Sequence, residues 1–341
     1  MKASVIRQFG PPEVFRYEDV EEPQPGVGEV IVKVAACGIN RYDLNLRMGA
    51  VFSDIAFPHV LGADVAGTVS AVGSGVAGFR TGEAVIVAPG YPVDPADWNV
   101  LPENHAPSFE VTGTHSWGGN AEYIRAPARF VLKNETGLPA DQVAAMPLVL
   151  MTAVHAVETL GEVRRGSRVL VQAGASGSGN ACIQMAVALG ARVATTVGRP
   201  EKIETARTAG AELVINYSTQ RFADEILDWT DGVGADVVID NVGASVFEEN
   251  LRALRLGGIL VNFGLVGGME GKLNFRRLFF RHHQLRGSCM GSMDELRRGL
   301  AMLREGKVRA FIDRVYPLRD VADAHRHIQS RAVRGKVVLI P

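Results

Sequence analysis

Near the middle of this 341-residue chain, RVLVQAGASGSGNACIQMA (Arg168 to Ala186) runs from an apolar stretch through a glycine–serine cluster into residues with helical apolar spacing. A strand that turns through Gly174-Ala175-Ser176-Gly177-Ser178-Gly179 straight into a helix is built to hold an anion. Gly174 permits the tight turn. Gly177 and Gly179 let a pyrophosphate approach the backbone and let the helix pack against the sheet. The helix start offers free N–H groups and the positive end of its dipole, and Ser176 and Ser178 add hydroxyl donors. Ser176 takes the second glycine place of the G-x-G-x-x-G pattern. A turn that binds no phosphate is the bland alternative. The strand–turn–helix context favours the dinucleotide reading.

The next strand bears on which dinucleotide. A site for NAD carries an acidic residue near the end of its second strand, on the ribose 2′-hydroxyl. Here RVATTV runs into Gly198, Arg199, Pro200, Glu201 and Lys202. The acid is missing at its expected place, and two cations stand nearby, suited to a 2′-phosphate. NADPH is therefore expected over NADH. Cations at a helix start oppose the helix dipole, which argues against their being ordinary surface charges.

These residues need a frame, and the pattern around them supplies it. RVLVQA, RVATTV, AELVIN, ADVVID, GGILVNFG and QLRGS read as short strands. Between them lie helical patterns: ACIQMAVALGA, PEKIETARTAG with Pro200 in its first turn and Gly210 past its end, FADEILDWT and SVFEENLRAL. MDELRRGLAMLREG follows the last strand. Alternation of this length predicts an α/β, doubly wound parallel sheet. Residues 1–150 differ. EVIVKVAACGI and Val65 to Val87 read as strands punctuated by glycine and proline, which is antiparallel or barrel-like material. The tail, with strands FIDRVYPL and KVVLIP around a helix DVADAHRHIQS capped by Asp320, is expected to return to the first domain. The partition is thus 1–150 with 292–341 as one β-rich domain and 151–291 as the dinucleotide domain.

Composition excludes several classes. Hydrophobic residues make up 47% and charged residues 21%, a globular balance rather than a disordered one. Lys plus Arg number 36 and Asp plus Glu 37, a formal charge of −1, so there is no basic footprint for nucleic acid or anionic lipid. No apolar run approaches the roughly 18 residues of a membrane span. Gly10-Pro11-Pro12 interrupts the N-terminus before a signal-peptide core forms. Cys37, Cys182 and Cys289 make neither a disulfide framework nor a CxxC metal pair, and a reducing cytoplasm is expected.

Almost the whole chain resembles the medium-chain dehydrogenase/reductase superfamily, and within it the zinc-independent quinone oxidoreductase-like branch. The strings that carry the resemblance are ACGINRYDLNLRMG, FPHVLGADVAGTVSAVG, GGNAEYI, MPLVLMTAVHAV, the glycine turn, NYS at 216–218 and RGKVVLIP. The resemblance implies a GroES-like β-rich catalytic domain beside a Rossmann domain, with the active site in the cleft between them. It implies that Lys202, Tyr217 and Arg331 contact the 2′-phosphate of NADPH. By the same likeness, Thr152 serves the nicotinamide and phosphate side, and Asn241, Phe263 and Gly264 the ribose and nicotinamide edges. Dimers are common in the family, and the sixth strand, as a sheet edge, needs covering. A homodimer is expected.

The departures from zinc-dependent relatives matter as much. They carry a cysteine where Asn40 stands and a histidine where Ala63 stands. Asp64 alone cannot hold a catalytic zinc, which needs about three protein ligands, and the lobe at Tyr91 to Trp117 lacks the four cysteines of a structural zinc. No metal is expected. Quinones and α,β-unsaturated carbonyls need no Lewis acid, because their acceptor carbon is already electrophilic and the charge formed is delocalised. Hydrogen-bond donors suffice. Asn40, Tyr42 and Asn45 are the expected donors. Many quinone-branch relatives carry a tyrosine where Asn45 stands, so this donor is altered. Asp43 is expected to orient the loop, and His59 and His155 are alternative proton sources. The substrate is then a small quinone, enone or enal. Alternatives are a zinc-free alcohol or aldehyde dehydrogenase and a non-catalytic NADPH-binding protein. A thiol hydrolase built on GSCMG (Gly287 to Gly291) with Asp320 and His325 is a rival of another class.

Overall fold

The computed structural model describes residues 1–341, and the chain divides into two compact units, Met1–Leu148 with Ala310–Pro341, and Val149–Arg309. No helix is long and apolar enough to cross a membrane.

The first unit is organised by the long strand β1 (Glu29–Ile39), of which only Lys33 and Ala35 are exposed. A short helix, α1 (Arg41–Arg47), follows it at once. Two strands, β2 (Asp64–Val72) and β3 (Ala84–Val87), continue the sheet antiparallel, β2 pairing with β1 so that Asp64 lies opposite Gly38. Their inward valines form one core, with Val30, Val32, Val65, Val85 and Val87 at its centre. Gly38 is glycine for a packing reason: a Cβ there would lie 2.2 Å from the carbonyl oxygen of Ala144, in the helix that crosses the sheet at this point.

The second unit holds a six-stranded parallel sheet. Its elements are β4 (Arg168–Val171), α2 (Gly177–Ala188), β5 (Arg192–Val197), α3 (Ile203–Thr208), β6 (Leu213–Asn216), α4 (Phe222–Trp229), β7 (Ala235–Asp240), α5 (Ala244–Ala253), β8 (Leu254–Asn262), α6 (Phe275–Phe280), β9 (Gln284–Gly287) and α7 (Met293–Arg304). The strand order is β6-β5-β4-β7-β8-β9, the doubly wound arrangement whose order reverses beside the first strand. The central strands are largely apolar, because helices cover both faces. The expected helix from Pro200 splits. A 3-10 turn spans Pro200–Lys202, the Lys202 N–H bonding the Arg199 carbonyl, before α3 begins.

The chain then returns to the first unit through β10 (Ile312–Pro317), α8 (Val321–Gln329) and β11 (Lys336–Ile340). Strand β11 pairs parallel with β10 and antiparallel with β1, with Val337 opposite Ile39. Two expectations need correction. The unit boundary lies at 309/310 rather than 291/292, since α7 buries Leu296, Leu300 and Leu303 and lays Gly299 against Leu150 of its own unit. Asp320 does not cap α8 through its side chain. It ends a 3-10 turn with a near-helical backbone and makes no capping bond.

Candidate cofactor site and active site

The glycine turn is held by a closed set of hydrogen bonds. Ser176 is the N-cap of α2. Its hydroxyl accepts from the Gly179 N–H at 3.1 Å and donates to the Ala173 carbonyl at 2.7 Å. The N–H groups of Gly177 and Ser178 have no acceptor in the chain, the unsatisfied donors of a helix start. Asn241, at the end of β7, donates from Nδ2 to the hydroxyls of Ser176 and Ser178, both at 3.2 Å. Its Oδ1 is buried and unpartnered. A buried acceptor without a donor beside free helix-start N–H groups fits a ligand with both hydroxyls and phosphates. A dinucleotide fits these residues.

The glycines act differently from the expectation in one respect. The left-handed residue of the turn is Ala173, with φ of 51°. Gly174 serves close approach instead, since a Cβ there would lie 2.2 Å from Thr195 Oγ1 on β5. At Gly179 a Cβ would meet the Ala173 carbonyl oxygen at 2.3 Å. Gly264 sits under Asn241, where a Cβ would be 2.1 Å from its carbonyl oxygen, and Phe263 bonds through its N–H to the Asp240 carbonyl. Asp240 itself is buried and accepts the N–H groups of Val242 and Gly243, fixing this turn. Burial pushes its carboxyl upward despite those bonds.

At the ends of β5 and β6, Tyr217 lies against Gly198, so closely that a Cβ on Gly198 would be 2.3 Å from the phenol oxygen. Ser218 Oγ donates to the Gly198 carbonyl at 2.9 Å. Tyr217 and Arg199 are about half exposed, Arg199 lying 4.0 Å from Glu201. Lys202 ends the 3-10 turn that follows. The five residues at 198–202 and Tyr217 thus share one corner of the sheet. Thr152 lies apart from this corner, buried, with its hydroxyl 4.0 Å from Met290 Sδ.

In the first unit, sheet register builds a second cluster. Gly38 opposite Asp64 and Val337 opposite Ile39 bring Asn40, Asp64 and Lys336 together. Lys336 Nζ donates to Asn40 Oδ1 at 2.5 Å and to Asp64 Oδ2 at 2.9 Å. Asn40 Nδ2 donates to the same Asp64 oxygen at 2.9 Å, while Asp64 Oδ1 accepts the Leu148 N–H at 2.7 Å. All three side chains are buried. Asp43 accepts the Asn40 backbone N–H at 2.7 Å, which supports its role in orienting the loop. Burial pushes the Asp43 carboxyl up to about 7, although the N–H groups of Asn40 and Gly62 and the Lys336 charge oppose the shift.

This donor set does not fit a zinc ion. Asn40 offers an amide already bonded at both ends, Ala63 a methyl group, and an ammonium sits on the Asp64 carboxylate. No group of three or more His, Cys, Asp or Glu side chains is arranged to hold a metal. In the lobe at 91–117, His115 bonds Glu110 at 2.8 Å and Asp54 at 3.3 Å, and Asp97 accepts the Ser108 N–H. An aromatic stack holds the base of that lobe, with Tyr91 on Phe130 at 4.8 Å and Trp98 edge-on to Phe130.

The other expected donors separate. The Tyr42 hydroxyl lies 2.7 Å from Thr114 Oγ1, which itself donates to the Val111 carbonyl, so Tyr42 is the donor of that pair. The Asn45 carboxamide is partly exposed and makes no hydrogen bond within the chain. His59 Nε2 is bound to the Gly113 carbonyl at 2.8 Å, and burial lowers the pKa of its ring. His155 Nδ1 pairs with Glu295 at 2.9 Å. The thiol-hydrolase constellation does not form. His325 is fully buried, with Nδ1 on Arg47 and its ring edge-on to Phe15, and burial raises the Cys289 thiol.

Two residues escaped the sequence reading. Lys336 was legible only as part of a closing strand, and nothing short of the β1–β11 register brings it to Asn40. Arg41 was legible as a cation at the start of α1. Burial lowers its pKa first, and the neighbouring Arg331 adds to the effect. Neither guanidinium has a carboxylate partner, and Arg331 has a left-handed backbone with φ of 57°. Two unneutralised arginines side by side suit an anion.

Comparison with known proteins agrees with this fold. The profile of the zinc-binding dehydrogenase family matches residues 177–305, and that of the alcohol dehydrogenase GroES-like domain matches residues 26–139. The chain is 31% identical to a 2-haloacrylate reductase of a Burkholderia species, over 99% of this chain and 98% of that one. It is 30% identical to a quinone oxidoreductase of Pseudomonas aeruginosa, over 98% and 97%. Among solved structures, an NAD-dependent alcohol dehydrogenase superposes with a TM-score of 0.93 at 37% identity, each chain covered fully. A mycobacterial protein complexed with NADPH gives 0.85 at 30% identity, again with both chains fully covered.

Proposed function

The chain belongs to the medium-chain dehydrogenase/reductase superfamily, in its quinone-oxidoreductase-like branch, and from that premise we propose that it is an NADPH-dependent oxidoreductase that delivers hydride, without zinc, to a quinone or an α,β-unsaturated carbonyl. The observation that supports this reading is the Asn40–Asp64–Lys336 cluster, an amide, a carboxylate and an ammonium bonded to one another where, by the family resemblance, zinc-dependent relatives hold their metal. Without a Lewis acid on its oxygen a simple ketone is a difficult acceptor. A conjugated acceptor spreads the incoming charge and needs only hydrogen-bond donors. The names of the 2-haloacrylate reductase and quinone oxidoreductase relatives support the same acceptor class.

When bound, the reduced nicotinamide supplies the hydride. The chain's own residues bind and orient it. Gly174, Ser176, Gly177, Ser178 and Gly179 receive the pyrophosphate, and Asn241, Phe263, Gly264 and Thr152 serve the ribose and nicotinamide side. Gly198, Arg199, Lys202, Tyr217 and Arg331 receive the 2′-phosphate, and Arg41 joins Arg331 as a second cation. Asn40 and Asn45 are the donors to the acceptor oxygen, and Tyr42, whose hydroxyl proton goes to Thr114, braces the loop that carries them. The assembly is a cytoplasmic homodimer. A zinc-free alcohol or aldehyde dehydrogenase is the second reading, supported by the 37% identity to an NAD-dependent alcohol dehydrogenase.

The test is loss of nicotinamide absorbance on chelator-treated protein, with 1,4-naphthoquinone, 3-penten-2-one and propanal as acceptors, each with NADPH and NADH. Turnover of the first two with NADPH, unchanged by chelator, is expected. Turnover of propanal alone supports the second reading. NADPH binding without turnover, or activity that returns only with zinc, overturns the proposal.

A further inference from the structure

We propose that Lys336 is a positioning residue for this reaction: its buried ammonium fixes and polarises the Asn40 carboxamide so that the amide N–H not bound to Asp64 donates to the acceptor oxygen. This rests on the reading of Asn40 as a donor and extends it to a residue at the far end of the chain.

Three observations carry it. The first is orientation. An ammonium only donates, so the atom of Asn40 that lies 2.5 Å from Lys336 Nζ must be the carbonyl oxygen. The amide nitrogen then faces Asp64, and the orientation is settled by chemistry. The second is the donor count. A carboxamide nitrogen carries two hydrogens. One goes to Asp64 Oδ2 at 2.9 Å, and the other has no acceptor in the chain. The third is rigidity and burial. Asp64 is held from its other oxygen by the Leu148 N–H at 2.7 Å, and Asn40 from its backbone by Asp43. Lys336 and Asp64 are 5% and 0% exposed. A cation on the carbonyl end of an amide, screened from water, withdraws density from its nitrogen and strengthens the remaining N–H as a donor.

The step this serves is balanced. Hydride forms a C–H bond at the β-carbon of an enone. The C=C pair moves to the carbonyl, leaving an enolate whose charge rests on oxygen, and the substrate is reduced by two electrons as the nicotinamide is oxidised. A solvent proton then forms the second C–H bond at the α-carbon. Asn40 is needed where the negative charge develops, and Lys336 acts through Asn40 without touching the substrate.

The experiment is a double-mutant cycle on the full-length protein with 3-penten-2-one and 1,4-naphthoquinone: Lys336→Met, Asn40→Ala and the double variant. Each single change is expected to lower kcat by about 10- to 100-fold, with KM for NADPH within about twofold of wild type. The double variant is expected to be no slower than Asn40→Ala. A merely structural lysine would cost the same factor in both backgrounds, and that additivity overturns the proposal. So does an unchanged kcat in Lys336→Met. If Lys336→Met fails to fold because it strands the Asp64 charge, Lys336→Met with Asp64→Asn removes both charges together. It is expected to show the same loss of kcat, and wild-type kcat in that variant overturns the proposal. A wild-type enzyme inactive on both acceptors overturns the reading of the reaction itself, a result distinct from any of these.

Discussion

Asp43 is a carboxyl that the fold holds near neutrality. Burial raises it to about 7, against an unfolded value of about 3.9. Between those values the folded chain binds more protons than the unfolded one, so this group makes stability fall as pH rises through the window. Its contribution is fully present below about pH 4 and is lost by pH 8. Asp43→Asn removes the titration while keeping an acceptor for the Asn40 N–H. The melting temperature of the variant relative to wild type is therefore expected to rise from pH 5 to pH 8, by an amount reflecting at most a few kcal/mol. A difference that stays flat, or falls, across that range would sink this assignment. Residues of this kind also mark where sequence reading stops. Asn40 and Asp64 were legible as unsuitable for zinc from their chemistry alone. That an ammonium pairs with both was not legible, because it depends on register between strands nearly 300 positions apart. Gly198 shows the same limit. Its place beside two cations was readable, but its need to be glycine comes from the phenol of Tyr217, just past the end of the neighbouring strand.

Elements that alternate with a clear period were read well, and those shaped by tertiary contact were not. The inner parallel strands follow the expected largely apolar runs, since helices cover both faces there, while the edge strand β9 is polar and mostly exposed. The end of the dinucleotide unit was misjudged because α7 carries a strong amphipathic pattern that does not say which core it covers. Its N-terminus answers that question. Ser292 caps α7 and Glu295 closes the capping box, accepting the Ser292 N–H at 2.7 Å. The same carboxylate accepts from Thr159 at 2.5 Å and bonds His155 at 2.9 Å, both in the π-helical segment Val154–Leu160 of the same unit. Burial opposes ionisation, but these bonds win and hold Glu295 down at about 2. The folded value lies below the unfolded one, so the stabilisation is present above about pH 4 and is lost as pH falls through 2. Glu295→Gln is expected to cost about 3 kcal/mol at pH 7, with the gap to wild type closing between pH 4 and pH 2. Denaturant unfolding at several pH values reads this directly. A penalty that does not shrink in acid would mean the charge of Glu295 is not what joins α7 to that segment.

At the scale of the whole molecule the open question is what covers the end of the parallel sheet. Strand β9 pairs with β8 on one side only, so its other side presents unpaired backbone groups. Around it the chain leaves large apolar side chains in water, Phe275, Phe279 and Phe280 on α6 at 70%, 60% and 62% exposure, with Leu256 and Leu285 beside them in the sheet. An edge of this kind invites strand addition, and exposed apolar area of this kind marks an interface. A second copy satisfies both needs with one operation, because a two-fold axis at β9 sets each edge antiparallel to its equivalent and lays the same apolar patch on itself. The wild-type protein is therefore expected to sediment at twice its 36.6 kDa chain mass, with a melting temperature that rises with protein concentration. Leu285→Asp with Phe279→Asp is expected to shift it to the single-chain mass, since each charge would be buried twice in a symmetric interface. A wild-type protein that sediments as one chain at micromolar concentration rules out the dimer. A double variant that remains dimeric moves the interface away from β9 and leaves that edge to be covered by something else.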